Sequence, residues 1–360
     1  MLQNAEQTDV LSRIPGPLLQ WYGKNARILP WRDAPTPYRV WVSEIMLQQT
    51  RVTAVMPYYE RFLRALPSPA ALAAVPDDRL MKLWEGLGYY TRARNLKKAA
   101  QMIVEQFHGD LPASFDALLS LPGIGSYTAG AVASIAFGIP VPAVDGNVLR
   151  VISRVLASRA DIADAKTKQH VETALSAVMP RDCAGDFNQA LMELGATVCL
   201  PNGQPLCEKC PLAGLCRAHK ENLTGELPVK TSKKKRRIEA RTIFVILNEG
   251  QVALKKRAGT GLLAGLWEFP CADGALSTGE AREYLRQNGI TLEEITPLAP
   301  AKHIFTHIEW HMTGYLVKAA AQTGGFTWCT LAGLKQSHAL PSAFRAYTKI
   351  AERELKSPGN

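Results

Sequence analysis

The chain has 360 residues, 47% of them hydrophobic, enough to bury a substantial core and more than one core usually serves, so two domains are expected. Its 42 Lys and Arg against 32 Asp and Glu leave a net charge of +10, a surface potential that suits a polyanionic partner such as nucleic acid. No apolar run approaches the roughly 20 residues needed to span a bilayer and no basic-then-apolar leader is visible, so neither a membrane nor a secretory reading is supported and a cytoplasmic monomer, nucleoid-associated if bacterial, is expected.

From about residue 10 to 220 apolar residues recur at three and four spacing, broken by Pro and Gly, as in Val40 to Leu66. The pattern predicts helices and almost no strand. Glu44 lies in the apolar run Val40 to Leu47, where desolvation would raise its pKa and keep it protonated near neutral pH. The ordinary alternative is a Glu on the exposed edge of its helix. Leu121-Pro122-Gly123-Ile124-Gly125 separates two helical stretches. Gly123 and Gly125 would let backbone N–H groups approach a DNA phosphate, although Pro-Gly is also a common interhelical turn. Asp145 directly precedes a further apolar-periodic helix, and a helix N-cap is its plain reading. A protonated Glu44 and an ionised Asp145 could divide the work of breaking an N-glycosidic bond. One would protonate the departing base and the other face the positive charge that develops on the sugar.

Four of the seven cysteines, Cys199, Cys207, Cys210 and Cys216, crowd into 18 residues with seven, two and five residues between them. A four-thiolate metal site fits that spacing, with iron–sulfur and zinc both open. Cys183, Cys271 and Cys329 stand apart and are expected to be small buried side chains. The predicted domains are residues 1–223, helical, and 241–360. Between them runs a basic linker, 224–240, containing Lys233-Lys234-Lys235-Arg236-Arg237. Beyond it, Arg241 to Asn248, His303 to Lys318 and Phe326 to Thr330 read as β segments, with a helix over Gly279 to Asn288. The C-terminal part is therefore α+β.

Trp31-Arg32, Ser43-Glu44-Ile45-Met46-Leu47-Gln48-Gln49-Thr50, Trp84 to Tyr90, the hairpin, Val144-Asp145-Gly146-Asn147 and the cysteine loop occur in an order that resembles the MutY-type adenine DNA glycosylases of the endonuclease III superfamily. The resemblance implies a helix-hairpin-helix glycosylase domain, a [4Fe-4S] cluster on the four cysteines, and double-stranded DNA carrying adenine mispaired with 8-oxoguanine as substrate. It further implies that Glu44 protonates the flipped adenine and that Asp145 stabilises the sugar cation. Tyr127, Asn147, Gln189, Arg27 and Trp31 would line the pocket, while Gln48, Gln49 and Tyr89 would wedge into the duplex or meet the opposite base. The family usually has six residues between its first two cysteines, and this chain has seven. Relatives that also nick the strand carry a Lys where Tyr127 stands, so little strand cleavage is expected.

Residues 261–270 make the C-terminal domain resemble the Nudix fold, yet Arg286 and Gln287 stand where a working Nudix helix has its paired metal-binding Glu residues. Phe305-Thr306-His307 is similar to the family's Phe-Ser-His loop for 8-oxoguanine, although a strand histidine is the plain reading of His307. The readings that compete with a monofunctional adenine glycosylase are a bifunctional pyrimidine-damage glycosylase, a non-catalytic iron–sulfur DNA sensor and a nucleotide pyrophosphatase.

Overall fold

A computed structural model of the chain describes residues 2–231, 236–322 and 324–356. The first three residues of the predicted basic run, Lys233 to Lys235, lie outside them. Residues 1–74 and 94–232 form one compact unit, and residues 75–93 join 233–360 in a second.

The first unit is helical, as its periodicity predicts. Thr36 and Pro37 start the helix Pro37–Leu47, with the Thr36 hydroxyl accepting from Arg39 N. Eight of its eleven residues are buried, so it is wrapped on nearly every side by other helices. Hairpin residues 121–125 lead into the helix Ser126–Phe137, which packs against Pro37–Leu47 and against Ala184–Thr197. Gly123 takes φ of +79°, and a Cβ there would come within 2.7 Å of Asn95 Cβ. Glycine is required in this turn. Asn188, fully buried on the helix Ala184–Thr197, accepts from Ala143 N at 2.9 Å and donates to Val141 O and Ser134 Oγ at 2.9 and 2.8 Å. One side chain thereby ties down the extended segment that delivers Asp145.

The second unit contains β1 (Arg237–Asn248), β2 (Gln251–Lys256), β3 (Trp267–Glu268), β4 (Cys271–Asp273), β5 (Leu292–Ile304), β6 (Ile308–Ala319) and β7 (Thr327–Cys329). The central order is β3-β2-β1-β6-β5, with β4 on β1 and β7 on β2; β1 and β6 run parallel. The helix Thr278–Gln287, closed at its start by a Ser277–Glu280 capping box, covers one face. The helix Arg345–Glu354 packs on the other through Tyr347.

Three expectations need correction. The predicted linker loses its end to β1, which begins at Arg237 because the backbone pairs there with β6, Arg237 N donating to His307 O at 3.1 Å. His303 to Lys318 is a hairpin rather than one segment: it turns at residues 305–307 with no Gly or Asn to mark the turn, closed by Phe305 N donating to Ile308 O. Cys329 is buried, but Cys183 and Cys271 are only partly covered.

Replacing Asn188 with Ala should leave Ala143 N, Val141 O and the Ser134 hydroxyl without this partner. The helical unit should lose about 2–4 kcal/mol, read from its urea transition.

Candidate active site and cysteine centre

A cavity of about 940 Å³ opens in the helical unit and is lined by Glu44, Tyr127, Asp145 and Asn147. It also collects Arg27, Trp31, Gln48, Gln49, Gln189 and Gly125, residues spread over more than 160 positions of chain. Gly123 shapes the neighbouring hairpin but does not line the cavity.

Glu44 is 6% exposed, so its side chain has left water, and burial pushes its pKa up to about 7. The Tyr127 hydroxyl donates to Glu44 Oε2 at 2.5 Å and opposes that rise, as Arg32 does. Asp145 adds to it through charge repulsion. Tyr127 also reaches Met192 Sδ at 3.2 Å. Burial, with Glu44 and Asp145 beside it, raises the phenol well above its ordinary value, so it remains a donor.

Asp145 caps the helix Gly146–Val155: Oδ1 accepts from Asn147 N and Val148 N, both at 2.8 Å, and Oδ2 accepts from Asn147 Nδ2 at 2.7 Å. Burial raises its pKa, and the three N–H donors and the Arg150 guanidinium work against the rise. The cap and the cavity-facing carboxylate are therefore one group.

Sequence reasoning gave no role to Glu193 and Arg32, which also line the cavity. Glu193 is 1% exposed; it pairs with Arg27 Nε at 2.5 Å and Arg32 Nη2 at 2.8 Å. Burial raises its pKa, but the two guanidinium groups outweigh burial and hold the carboxyl below its ordinary range. Arg32 Nε donates in turn to Gln189 Oε1 at 3.1 Å. Thus two buried carboxyls share one cavity in opposite states, Glu44 beside a phenol and Glu193 between two cations. The signal that marked Glu44, a carboxylate inside an apolar helix, is equally present at Glu193. Lys168 is the one lysine lining the cavity among the described residues, and its ammonium is held by Ser126 Oγ at 2.9 Å and Glu172 at 3.5 Å.

Cys199, Cys207, Cys210 and Cys216 line a separate small cavity together with Arg154 and His219. Arg154 donates to Cys199 Sγ at 3.2 Å, and its carbonyl accepts from Cys216 Sγ at 3.4 Å. All four sulfurs are free of disulfides, and burial pushes the Cys210 thiol up to about 12. Among the described residues no three His, Cys, Asp or Glu side chains converge on a single ion. Four soft donors in one pocket with a guanidinium beside them suit a thiolate-bound metal cluster, because the cation and the metal together offset the thiolate charge. Arg150, on the same helix as Arg154, donates to Cys199 O at 2.8 Å and to Asn147 Oδ1 at 2.9 Å. The cysteine loop and the Asp145 cap therefore share one hydrogen-bonded frame.

In the second unit, Phe305 is held edge-on between His303 and Trp310, at centroid distances of 4.6 and 4.9 Å. It anchors the turn, leaving Thr306 and His307 exposed. Thr306 Oγ1 lies 3.4 Å from the Tyr89 hydroxyl. On the Nudix-like helix Glu283 is tied to Arg286 and Gln287, at 2.8 and 2.7 Å.

Residues 42–180 match the HhH-GPD superfamily of base excision DNA repair proteins, and residues 242–349 match the NUDIX domain. The adenine DNA glycosylase of Mus musculus is 35% identical over 396 residues, spanning 92% of this chain and 77% of that one. That of Buchnera aphidicola subsp. Schizaphis graminum is 35% identical over 303 residues, spanning 83% and 86%. Among solved structures, a thermostable thymine-DNA glycosylase is similar with a TM-score of 0.52 at 28% identity, covering 61% of this chain and 100% of that one. Endonuclease III in a non-covalent DNA complex gives 0.51 at 27%, covering 59% and 98%. Helical architecture, paired domains and identity over nearly the whole chain agree: the chain belongs to the adenine DNA glycosylase family.

Proposed function

We propose that the protein removes adenine mispaired with 8-oxoguanine or guanine from double-stranded DNA by hydrolysing its N-glycosidic bond. The observation that carries this reading is Glu44, buried and poised near pH 7 beside Tyr127, in one cavity with the capped carboxylate Asp145. The unstacked adenine enters that cavity. Glu44 gives its proton to a ring nitrogen, the bond from C1′ to N9 breaks, and the electron pair leaves with the base. Asp145, with three N–H donors holding its carboxylate form, faces the cation left on the sugar until water adds at C1′ and releases a proton. A phenol forms no imine with the sugar, so strand cleavage should require added alkali.

The division of labour gives excision and the cluster to the helical unit and opposite-base recognition to the second. Thr306 and His307 offer hydrogen-bonding groups on an anchored turn, and the tied Glu283 beside Arg286 leaves no paired carboxylates for pyrophosphate hydrolysis. Cys199, Cys207, Cys210 and Cys216 would hold a [4Fe-4S] cluster that braces the loop joined to Arg150 and Arg154.

In single-turnover assays Glu44→Gln should still bind DNA while losing roughly three or more powers of ten in rate; near-normal excision would remove Glu44 from the mechanism. The wild-type rate should fall as pH rises through about 7, when Glu44 loses its proton. Tyr127→Phe, which removes a hydrogen bond to the charged form, should move that fall to higher pH. Stability follows the same group. Because the folded-state pKa is raised, the contribution of Glu44 is present below its ordinary value of 4.5 and lost as pH rises through about 7. Glu44→Gln should therefore be more stable than wild type at pH 8 and gain less at pH 5, as read by thermal melting.

Purified protein should be brown and contain iron. Metal analysis finding one zinc and no iron would overturn the cluster. His307→Ala should shrink the preference for adenine opposite 8-oxoguanine over adenine opposite guanine by about tenfold, chiefly by slowing the oxidised substrate. Equal rate ratios in variant and wild type would place recognition elsewhere. The point substitution is cleaner than truncation after Lys230, which would strip Lys82 of its contacts with Leu334 O and His338 O, and Asp78 of Lys256.

A further inference from the structure

We propose that Arg92 is a positioning residue that holds the Tyr89 ring upright before DNA arrives. The proposal rests on Tyr89 being the side chain that enters the duplex beside the mispair. Tyr89 is 46% exposed and has φ of +48°, a left-handed conformation few residues other than glycine adopt. It follows the turn at 86–88, where Gly86 and Gly88 have φ of +99° and +71°. Such a turn supplies direction but little stiffness.

Arg92 supplies the stiffness. Its Nη2 donates to Leu87 O at 3.2 Å and Gly88 O at 3.1 Å, and its backbone N–H donates to Tyr89 O at 2.9 Å. Its guanidinium carbon lies 5.4 Å from the centroids of both the Trp84 and the Tyr89 rings. Trp84 is fully buried and donates its indole N–H to Gly88 O at 3.1 Å, so the stack has a fixed floor. From floor to tip the order is indole, guanidinium, phenol. Thr306 Oγ1, 3.4 Å from the Tyr89 hydroxyl, steadies the tip from the recognition turn. An exposed tyrosine without such support samples several rotamers, and each must be given up when the ring enters a base stack. The guanidinium has made that selection in advance.

The test uses the full-length protein in single-turnover excision on two duplexes. In one, adenine faces 8-oxoguanine; in the other it faces a tetrahydrofuran abasic analogue, where no opposite base has to be parted from it. Arg92→Met, Arg92→Lys, Tyr89→Ala and the double variant Tyr89→Ala/Arg92→Met are compared, with thermal melting of each. Arg92→Met should lose about tenfold on the mispair and far less opposite the abasic analogue, because both the ring contact and the carbonyl hydrogen bonds vanish. The double variant should be no slower than Tyr89→Ala alone. Arg92→Lys should recover part of the loss, since an ammonium can reach the carbonyls but cannot stack as a plane. Should Arg92→Met melt much lower, Arg92→Lys alone carries the comparison between the two duplexes. Losses that add in the double variant, or equal losses on both duplexes, would overturn the proposal. A slow Tyr89→Ala beside a normal Arg92→Met would overturn it while leaving the wedge intact. A normal Tyr89→Ala would instead remove the wedge and the proposal together.

Discussion

Glu44 sits in a helix whose other side chains have almost all left water, and that desolvation is the constraint on which the site depends. A carboxyl there resists ionisation, so near neutral pH it can hold a proton that an exposed glutamate would have lost. The same burial would be ruinous for Glu193 without compensation, and two arginines supply it. The cavity thus shifts two acidic groups in opposite directions within a single shell of side chains. Tyr127 works against that burial, because its hydroxyl donates to Glu44 and stabilises the ionised form.

The helix Gly146–Val155 transmits this arrangement through the unit. Its N-cap is Asp145, its first turn carries Asn147, and its middle and end carry Arg150 and Arg154, which reach the cysteine loop. Gly195 explains how closely the frame is packed: a Cβ there would meet Asn147 Cβ at 2.6 Å. Asn188 fixes the segment immediately before the cap. A cluster on the four cysteines would therefore stiffen the far end of the helix whose near end presents the carboxylate, a structural service that needs no redox step.

The second unit includes a piece of chain that sequence order assigns to the first. Residues 75–93 pair with it through Lys82, through Asp78, and through Glu85, which accepts from Leu340 N. Tyr89 and the turn at 305–307 consequently belong to one unit, and residues more than 200 positions apart in the chain lie side by side.

The sequence by itself determined the helical character of residues 10–220, the hairpin glycines, the apolar setting of Glu44, the cap at Asp145 and the cysteine spacing. Each of these is local: a period, a turn or a cap is set by neighbours a few residues away. Family order then linked Glu44 to Asp145 across a hundred residues that no spacing rule connects. Only the tertiary structure decided that the pKa of Glu193 would be lowered while that of Glu44 is raised, for the two helices carry the same local signal and differ in the groups that fold against them. It alone decided that residues 75–93 leave the helical unit and that Arg92 lies between Trp84 and Tyr89. Those outcomes depend on long-range burial and on which charges meet in a low dielectric, quantities that come into being only when distant segments pack.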